Sequence, residues 1–231
     1  PISRRRQTLG HPLPFLYNGG MRRALLFDLD GTLVDTIDLI VHCFARVLEP
    51  ATGRRWTRAE VIALFGPTEP AILAGFGLAG SFPDFLACYE ANHDRLARCF
   101  PGVNEALAQA RRLGLRLGVV TNKGRETTAI TLRRCRLEPL FDVVVTGDDA
   151  AAPKPDPGGL VLALERLGVA PHEAAFVGDA PSDVEAGRLA GLETWAVTWG
   201  RVHPRDDLLA AGPDQVLTTP GDLIPLVTTV S

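Results

Sequence analysis

The order of apolar runs and helical stretches along this chain predicts an α/β protein: a doubly wound, Rossmann-like parallel sheet carrying an inserted all-α cap. Three observations carry that reading. The runs LGVV, DVVV and AAFV are near-continuously apolar, as strands of a parallel sheet buried on both faces must be. Segments with apolar residues at helical spacing alternate with them, which gives the βαβ succession of a doubly wound sheet. Between the first strand and the second lies a gap of roughly 65 residues holding helical patterns and no convincing strand.

Taken in order, residues 1–20 show neither helical nor strand periodicity and precede Met21, the only methionine, so they read as an added or weakly ordered leader. Strands are expected at 24–29, 115–121, 142–146, 174–178, 193–198 and, shorter, 215–217. Helices are expected at 104–113, 127–137, 157–167 and 182–190. Within the gap, helical patterns run over 37–48, 57–64 and 82–98. The resulting division is a core of residues 21–35 and 101–231 and a helical cap of residues 36–100, with Gly66, Pro67 and Thr68 as a loop between cap helices.

Composition narrows the function. With 231 residues, 46% hydrophobic and 22% charged, the chain buries a sizeable core. Lys plus Arg total 24 against 27 Asp plus Glu, a net charge of -3, which argues against nucleic acid and demands a local site for any anion. Only two of the 24 basic residues are lysines, Lys123 and Lys154. No apolar run approaches the ~18 residues that span a bilayer, so no membrane partner is expected. The four cysteines form no CxxC pair and follow no secretory signal, which fits reduced thiols in a cytoplasmic protein.

Chemistry gathers at the strand ends. The first strand runs ALLFDLDGTLVDT and delivers Asp28 and Asp30 at its carboxyl end, where open α/β sheets bind ligands. Residues i and i+2 of a strand point the same way, so both carboxylates are expected in one crevice, and such a pair needs a cation or a shared proton. Gly31 permits a tight turn behind them. The second strand ends in LGVVTNKG and supplies Thr121 and Asn122. PKPDP follows the third, with Lys154 between two prolines and Asp156 and Pro157 expected as N-cap and first helical residue. FVGDAPSDVEAG places Asp179 at the end of the fourth strand and Asp183 at a helix start.

DLDGT, then Thr121, Lys154 and GDAPSD in that order, resembles the haloacid dehalogenase superfamily of phosphoryl-transfer enzymes, in its phosphoglycolate phosphatase-like branch with a helical cap. The resemblance spans residues 21–231; Ala180 stands where relatives often carry Ser, and AAAP precedes Lys154. It implies a Mg²⁺-dependent phosphatase acting on a small phosphorylated metabolite, a phosphoglycolate-like phosphomonoester, through an aspartyl phosphate on Asp28. Asp30 would serve as general acid and base, and Thr121, the backbone around Asn122 and Lys154 would hold the phosphoryl oxygens. The metal would be bound by the Asp28 carboxylate, the Asp30 carbonyl and Asp179, with Asp183 as ligand or support. Such an oxygen-only set, without His or Cys, suits a hard cation.

Related chemistries fit less well. Dehalogenases of the superfamily lack the second aspartate, present here as Asp30. Phosphonate-cleaving relatives use a cap lysine, and residues 36–100 contain none. Sugar phosphomutases carry a cap-entry His where this chain has Ile40, and His42 points about 200° around a helix from it. A mutase, or a silent binding or regulatory member, is the alternative. His42 and His93 read as structural or surface residues, and the cysteines and tryptophans as core or interface.

Overall fold

A computed structural model describes residues 22–228, so the expected leader of residues 1–20 lies outside the described residues. The chain enters through β1 (Ala24–Phe27), turns into the two-residue β2 (Val34–Asp35) and then runs through α1 (Ile37–Thr52), α2 (Arg58–Ile62), α3 (Glu69–Gly75) and α4 (Phe82–Leu96). It returns by β3 (Arg98–Cys99) and continues with α5 (Val103–Arg112), β4 (Arg116–Val120), α6 (Arg125–Arg134), β5 (Val143–Val145), α7 (Gly158–Leu167) and β6 (Ala174–Gly178). α8 (Pro181–Leu189), β7 (Glu193–Val197), α9 (Arg205–Ala210), β8 (Gln215–Leu217) and α10 (Leu223–Thr228) complete it.

Six strands form one parallel sheet in the order β5-β4-β1-β6-β7-β8, with β1 central between β4 and β6. The expected α/β, doubly wound architecture is therefore the observed one. β1, β6 and β7 are buried at every residue because helices cover both faces, which is why their sequences carry no alternation. One core cluster joins Leu25, Phe27, Val119 and Val177 to α5; the other joins Leu26, Val145 and Phe176 to α7 and α8. Alternate residues of each strand thus feed opposite faces.

Between β2 and β3 the described chain is helical apart from loops, and its apolar residues form a third cluster, including Leu39, Phe44, Phe85 and Tyr89, which closes over Ile130 of α6. β2 and β3 pair antiparallel, Val34 opposite Cys99 and Asp35 opposite Arg98, so the insertion leaves and re-enters the sheet side by side.

Several local expectations shift. β1 ends at Phe27, so Asp28 and Asp30 lie beyond the strand and their convergence comes from the turn after it, not from strand alternation. The loop expected at residues 66–68 is present, but α3 follows it where no helix was expected; seven residues with a proline in the first turn carry too little periodicity to be seen. α7 begins one residue late, with Pro157 at its N-cap, yet Asp156 still accepts a hydrogen bond from the Gly158 N–H at 2.8 Å. Among the described residues no helix is long and apolar enough to cross a membrane.

Candidate active site

Every residue proposed from the sequence reaches one cavity of about 120 Å³ at the carboxyl end of the sheet: Asp28, Asp30, Thr121, Asn122, Lys154, Asp179 and Asp183 all line it. The sheet order explains this, since β1, β4 and β6 are neighbours and their carboxyl ends open into the same crevice.

Asp28 follows β1 directly, with its N–H held by the Val177 carbonyl at 2.8 Å. Lys154 Nζ donates to Asp28 Oδ1 at 2.7 Å and to the Val120 carbonyl at 3.1 Å, and pairs with Asp183 Oδ1 at 2.7 Å. Asn122 fixes the lysine's backbone: its Oδ1 accepts from the Lys154 N–H at 2.8 Å and its amide donates to the Lys154 carbonyl at 3.3 Å. The Asn122 side chain thus positions Lys154, while the backbone around it is the part expected to meet phosphate. Thr121 is buried, and its Oγ1 accepts from the Lys123 N–H at 3.2 Å.

Asp28, Asp179 and Asp183 bring one oxygen each within 4.8 Å of one another. Asp183 is pinned from two sides, by Lys154 and by the Ala180 N–H, which donates to its Oδ2 at 3.0 Å. Asp179 accepts from the Thr32 hydroxyl at 3.3 Å through Oδ1, while its Oδ2 is buried without a partner. Gly31, at φ 84°, makes this approach possible: a Cβ there would lie 2.3 Å from Asp179 Oδ2.

The electrostatics follow from this crowding. Burial raises the Asp28 carboxyl to about 7; Lys154 opposes the shift and Asp183 adds to it. Burial, then Asp28 and Asp183, raises Asp179 well above the carboxylate range. For Lys154, burial pulls the ammonium down, but Asp183 and Asp28 outweigh it and keep it charged. Five carboxylates and two ammonium groups line the cavity, so anionic charge predominates. The orphaned Asp179 oxygen and an all-oxygen donor set fit a hard divalent cation; Asp28, Asp179 and Asp183 are the side chains placed to hold it.

Asp30 lines the same cavity with partners of its own. It accepts from the Thr36 hydroxyl and, at 3.2 Å, from Lys123 Nζ. Lys123 also pairs with Glu69 Oε1 at 3.2 Å and lies 4.6 Å from the centre of the Tyr89 ring. Lys123, Glu69 and His203 were not singled out from the sequence, yet all three line the cavity. A signal for Lys123 existed: in a chain whose other 22 basic residues are arginines, a retained lysine marks a place where a compact point charge is needed. Nothing comparable flagged Glu69 or His203. The roof over the site is apolar, formed by Ile37, Ile40, Phe44, Phe65 and Ile72. Ile40 occupies the place discussed for a mutase histidine, and His42 is exposed. His93 is buried against Tyr89.

Comparisons with known proteins show the family. The family model for haloacid dehalogenase-like hydrolases matches residues 25–197. Pyrophosphatase PpaX of Bacillus velezensis is 38% identical over 205 residues, covering 87% of this chain and 94% of that relative, and PpaX of Bacillus mycoides is 35% identical over 212 residues, covering 90% and 98%. Among solved structures, CbbY of Rhodobacter sphaeroides in complex with phosphate superposes with a TM-score of 0.76 at 27% identity, covering 88% of this chain and 96% of its own. A Lactobacillus plantarum protein assigned as a phosphoglycolate phosphatase superposes at 0.74 with 28% identity, covering 90% and 100%. With its fold, strand-end carboxylates and family match in agreement, this chain belongs to the haloacid dehalogenase-like hydrolases and is an enzyme of their phosphatase type.

Proposed function

We propose that this enzyme is a Mg²⁺-dependent phosphatase that removes a phosphoryl group from a small phosphorylated metabolite through an aspartyl phosphate on Asp28. One observation carries the reading: a buried carboxylate at the carboxyl end of the central strand meets Lys154 at 2.7 Å and clusters with two further buried aspartates. A carboxylate 4 Å from one phosphate charge is repelled by about 4 kcal/mol at an effective dielectric of 20, roughly a thousandfold in rate. The bound cation would neutralise phosphoryl oxygens and charge on Asp28, and Asp28, Asp179 and Asp183, with the Asp30 carbonyl, would hold it.

In the first step Asp28 forms a bond to phosphorus as the bond to the leaving oxygen breaks, and Asp30 gives that oxygen its proton. Water then attacks the aspartyl phosphate, Asp30 takes the water's proton, and the Asp28 carboxylate leaves. Lys154 remains 2.7 Å from Asp28 and stabilises charge on the transferring group. The Thr121 hydroxyl, accepting from Lys123 N–H, keeps its own proton to donate to a phosphoryl oxygen. The helical insertion, residues 36–100 as a cap, supplies the apolar roof that excludes bulk water.

A cavity of about 120 Å³ admits a metabolite and no folded protein. The substrate class is a small phosphomonoester such as phosphoglycolate. Pyrophosphate is the second reading, favoured by the PpaX relatives of similar length. A sugar phosphomutase is disfavoured because Ile40 faces the site and His42 faces solvent. The test is phosphate release from phosphoglycolate, pyrophosphate and 4-nitrophenyl phosphate with Mg²⁺ and with chelator. Asp28→Asn, folded by circular dichroism, should lose at least about a thousandfold in kcat. Turnover retained in that variant, or undiminished in chelator, would overturn the mechanism, and absence of turnover on every phosphate would favour a silent binding member.

A further inference from the structure

We propose that Glu69 is the latch that fastens the helical insertion onto the core, and that through this latch it positions Lys123 against Asp30. The inference rests on the reading of Asp30 as the general acid. It starts from the way the first turn of α6 is held. Helices leave their first N–H groups unpaired, and an N-cap side chain or an acid at the third helical position answers them. α2 and α8 are answered locally, by Glu60 and Asp183 at that position. α6 has no such provision: its N-cap is Gly124, which has no side chain, and its third residue is Thr127.

Two carboxylates from outside the helix answer it: Asp148 of the core accepts from the Arg125 N–H at 2.7 Å, and Glu69 comes from the insertion. Glu69, the first residue of α3 and 55 positions earlier in the chain, accepts from the Gly124 N–H at 2.8 Å through Oε2 and from the Thr127 hydroxyl at 2.7 Å through Oε1. The same Oε1 pairs with Lys123 Nζ, whose other carboxylate partner is Asp30. Glu69 is 5% exposed, so this is a buried, fully engaged anion carried on the insertion and matched by the core. Burial would raise its carboxyl, but Lys123 and these hydrogen bonds hold it below the usual range.

Gly124 completes the fit. A Cβ there would lie 2.8 Å from Glu69 Oε2, while its φ of -66° suits any residue. Glycine at this position is required by the arriving carboxylate and not by the backbone. The one ammonium of Lys123 is shared between Glu69 of the insertion and Asp30 of the core, each at 3.2 Å, so a seated Glu69 fixes where that ammonium meets Asp30.

The experiment compares Glu69→Gln and Gly124→Ala with the wild-type enzyme by amide hydrogen exchange and by kinetics. Gly124→Ala alters no charged group, so it tests the latch even where Glu69→Gln folds poorly. Both variants should raise exchange in residues 121–130 and in α3 while leaving α5 and α7 unchanged. Loss of charged hydrogen bonds corresponds to about a tenfold fall in kcat/KM. The fall should be larger for phosphoglycolate, whose alkoxide needs a proton, than for 4-nitrophenyl phosphate, whose leaving group does not. Unchanged exchange, exchange raised equally throughout the chain, or equal losses on the two substrates would overturn the proposal. Asp28→Asn measured alongside separates this from the catalytic reading: retained turnover there defeats the mechanism, whereas the exchange pattern still decides the latch.

Discussion

The two lysines of this protein sit in the same cavity and are built differently. Lys154 is held by Asp28 at the end of β1, by Asp183 in the first turn of α8 and by the Val120 carbonyl. Lys123 is held by Asp30, from the core, and by Glu69, from the helical insertion. The first ammonium is fixed entirely within the core; the second takes one of its two carboxylate partners from the insertion. A charge held within the core and a charge shared with the insertion are thus separated onto two residues of one type.

Replacing each lysine sets the two arrangements against one another. Lys154→Met leaves buried carboxylates with no cation and no route to water, and breaking such a pair costs about 3–5 kcal/mol. The expected outcome is a large fall in thermal midpoint and, in the folded fraction at saturating Mg²⁺, about a thousandfold loss of kcat. Lys123→Met should cost less, about 1–2 kcal/mol, because Glu69 can regain water by leaving α6. Calorimetry on the two variants checks this, and equal losses would erase the distinction.

Acid should weaken the arrangement shared with the insertion. The Glu69 carboxyl is held below its ordinary value of 4.5, so the folded state binds fewer protons than the unfolded one over the window beneath that value. Its contribution is present above pH 4.5 and is lost as pH falls through the lower, folded-state value. Denaturant midpoints measured downward from pH 5 should fall more steeply for the wild type than for Glu69→Gln. Parallel curves would mean that Glu69 adds nothing to stability.

The smallest effect lies farther from the site. His93 is 2% exposed, neither ring nitrogen makes a hydrogen bond, and burial holds its pKa below 6.5. The unfolded chain therefore takes up a proton below 6.5 that the folded chain resists, and stability falls with pH there. His93→Leu should stabilise by roughly 1 kcal/mol, more at pH 5.5 than at pH 7.5, as read from urea midpoints.

Much of this was legible in the sequence because the parallel sheet writes itself as apolar runs, and because strand ends bring their polar residues to one edge. Asp28, Lys154, Asp179 and Asp183 each close such a run or the loop after it. Their convergence needed only the order of the strands. Asp30 was placed in the right cavity by an incomplete argument, since the turn at Gly31 and not strand alternation directs it. The backbone around Asn122 was expected to meet phosphate; that its side chain also holds the Lys154 backbone, a pairing across 32 residues, is something no local pattern announces. Glu69 was hidden for the same reason: its partners lie on α6, and α3 is too short to show a period.

The paired β2 and β3 give the insertion a further property. Because Asp35 and Arg98 are cross-strand partners, the ends of a segment about 60 residues long are already joined before that segment begins. Lengthening such a loop costs little, about 0.6 kcal/mol per doubling, and here the closing contact belongs to the frame and not to the loop. The helical segment is therefore a module in the topological sense: its length and content are decoupled from the register of the six-stranded sheet. One catalytic frame can carry different roofs, so substrate range can diversify without refolding the machinery beneath.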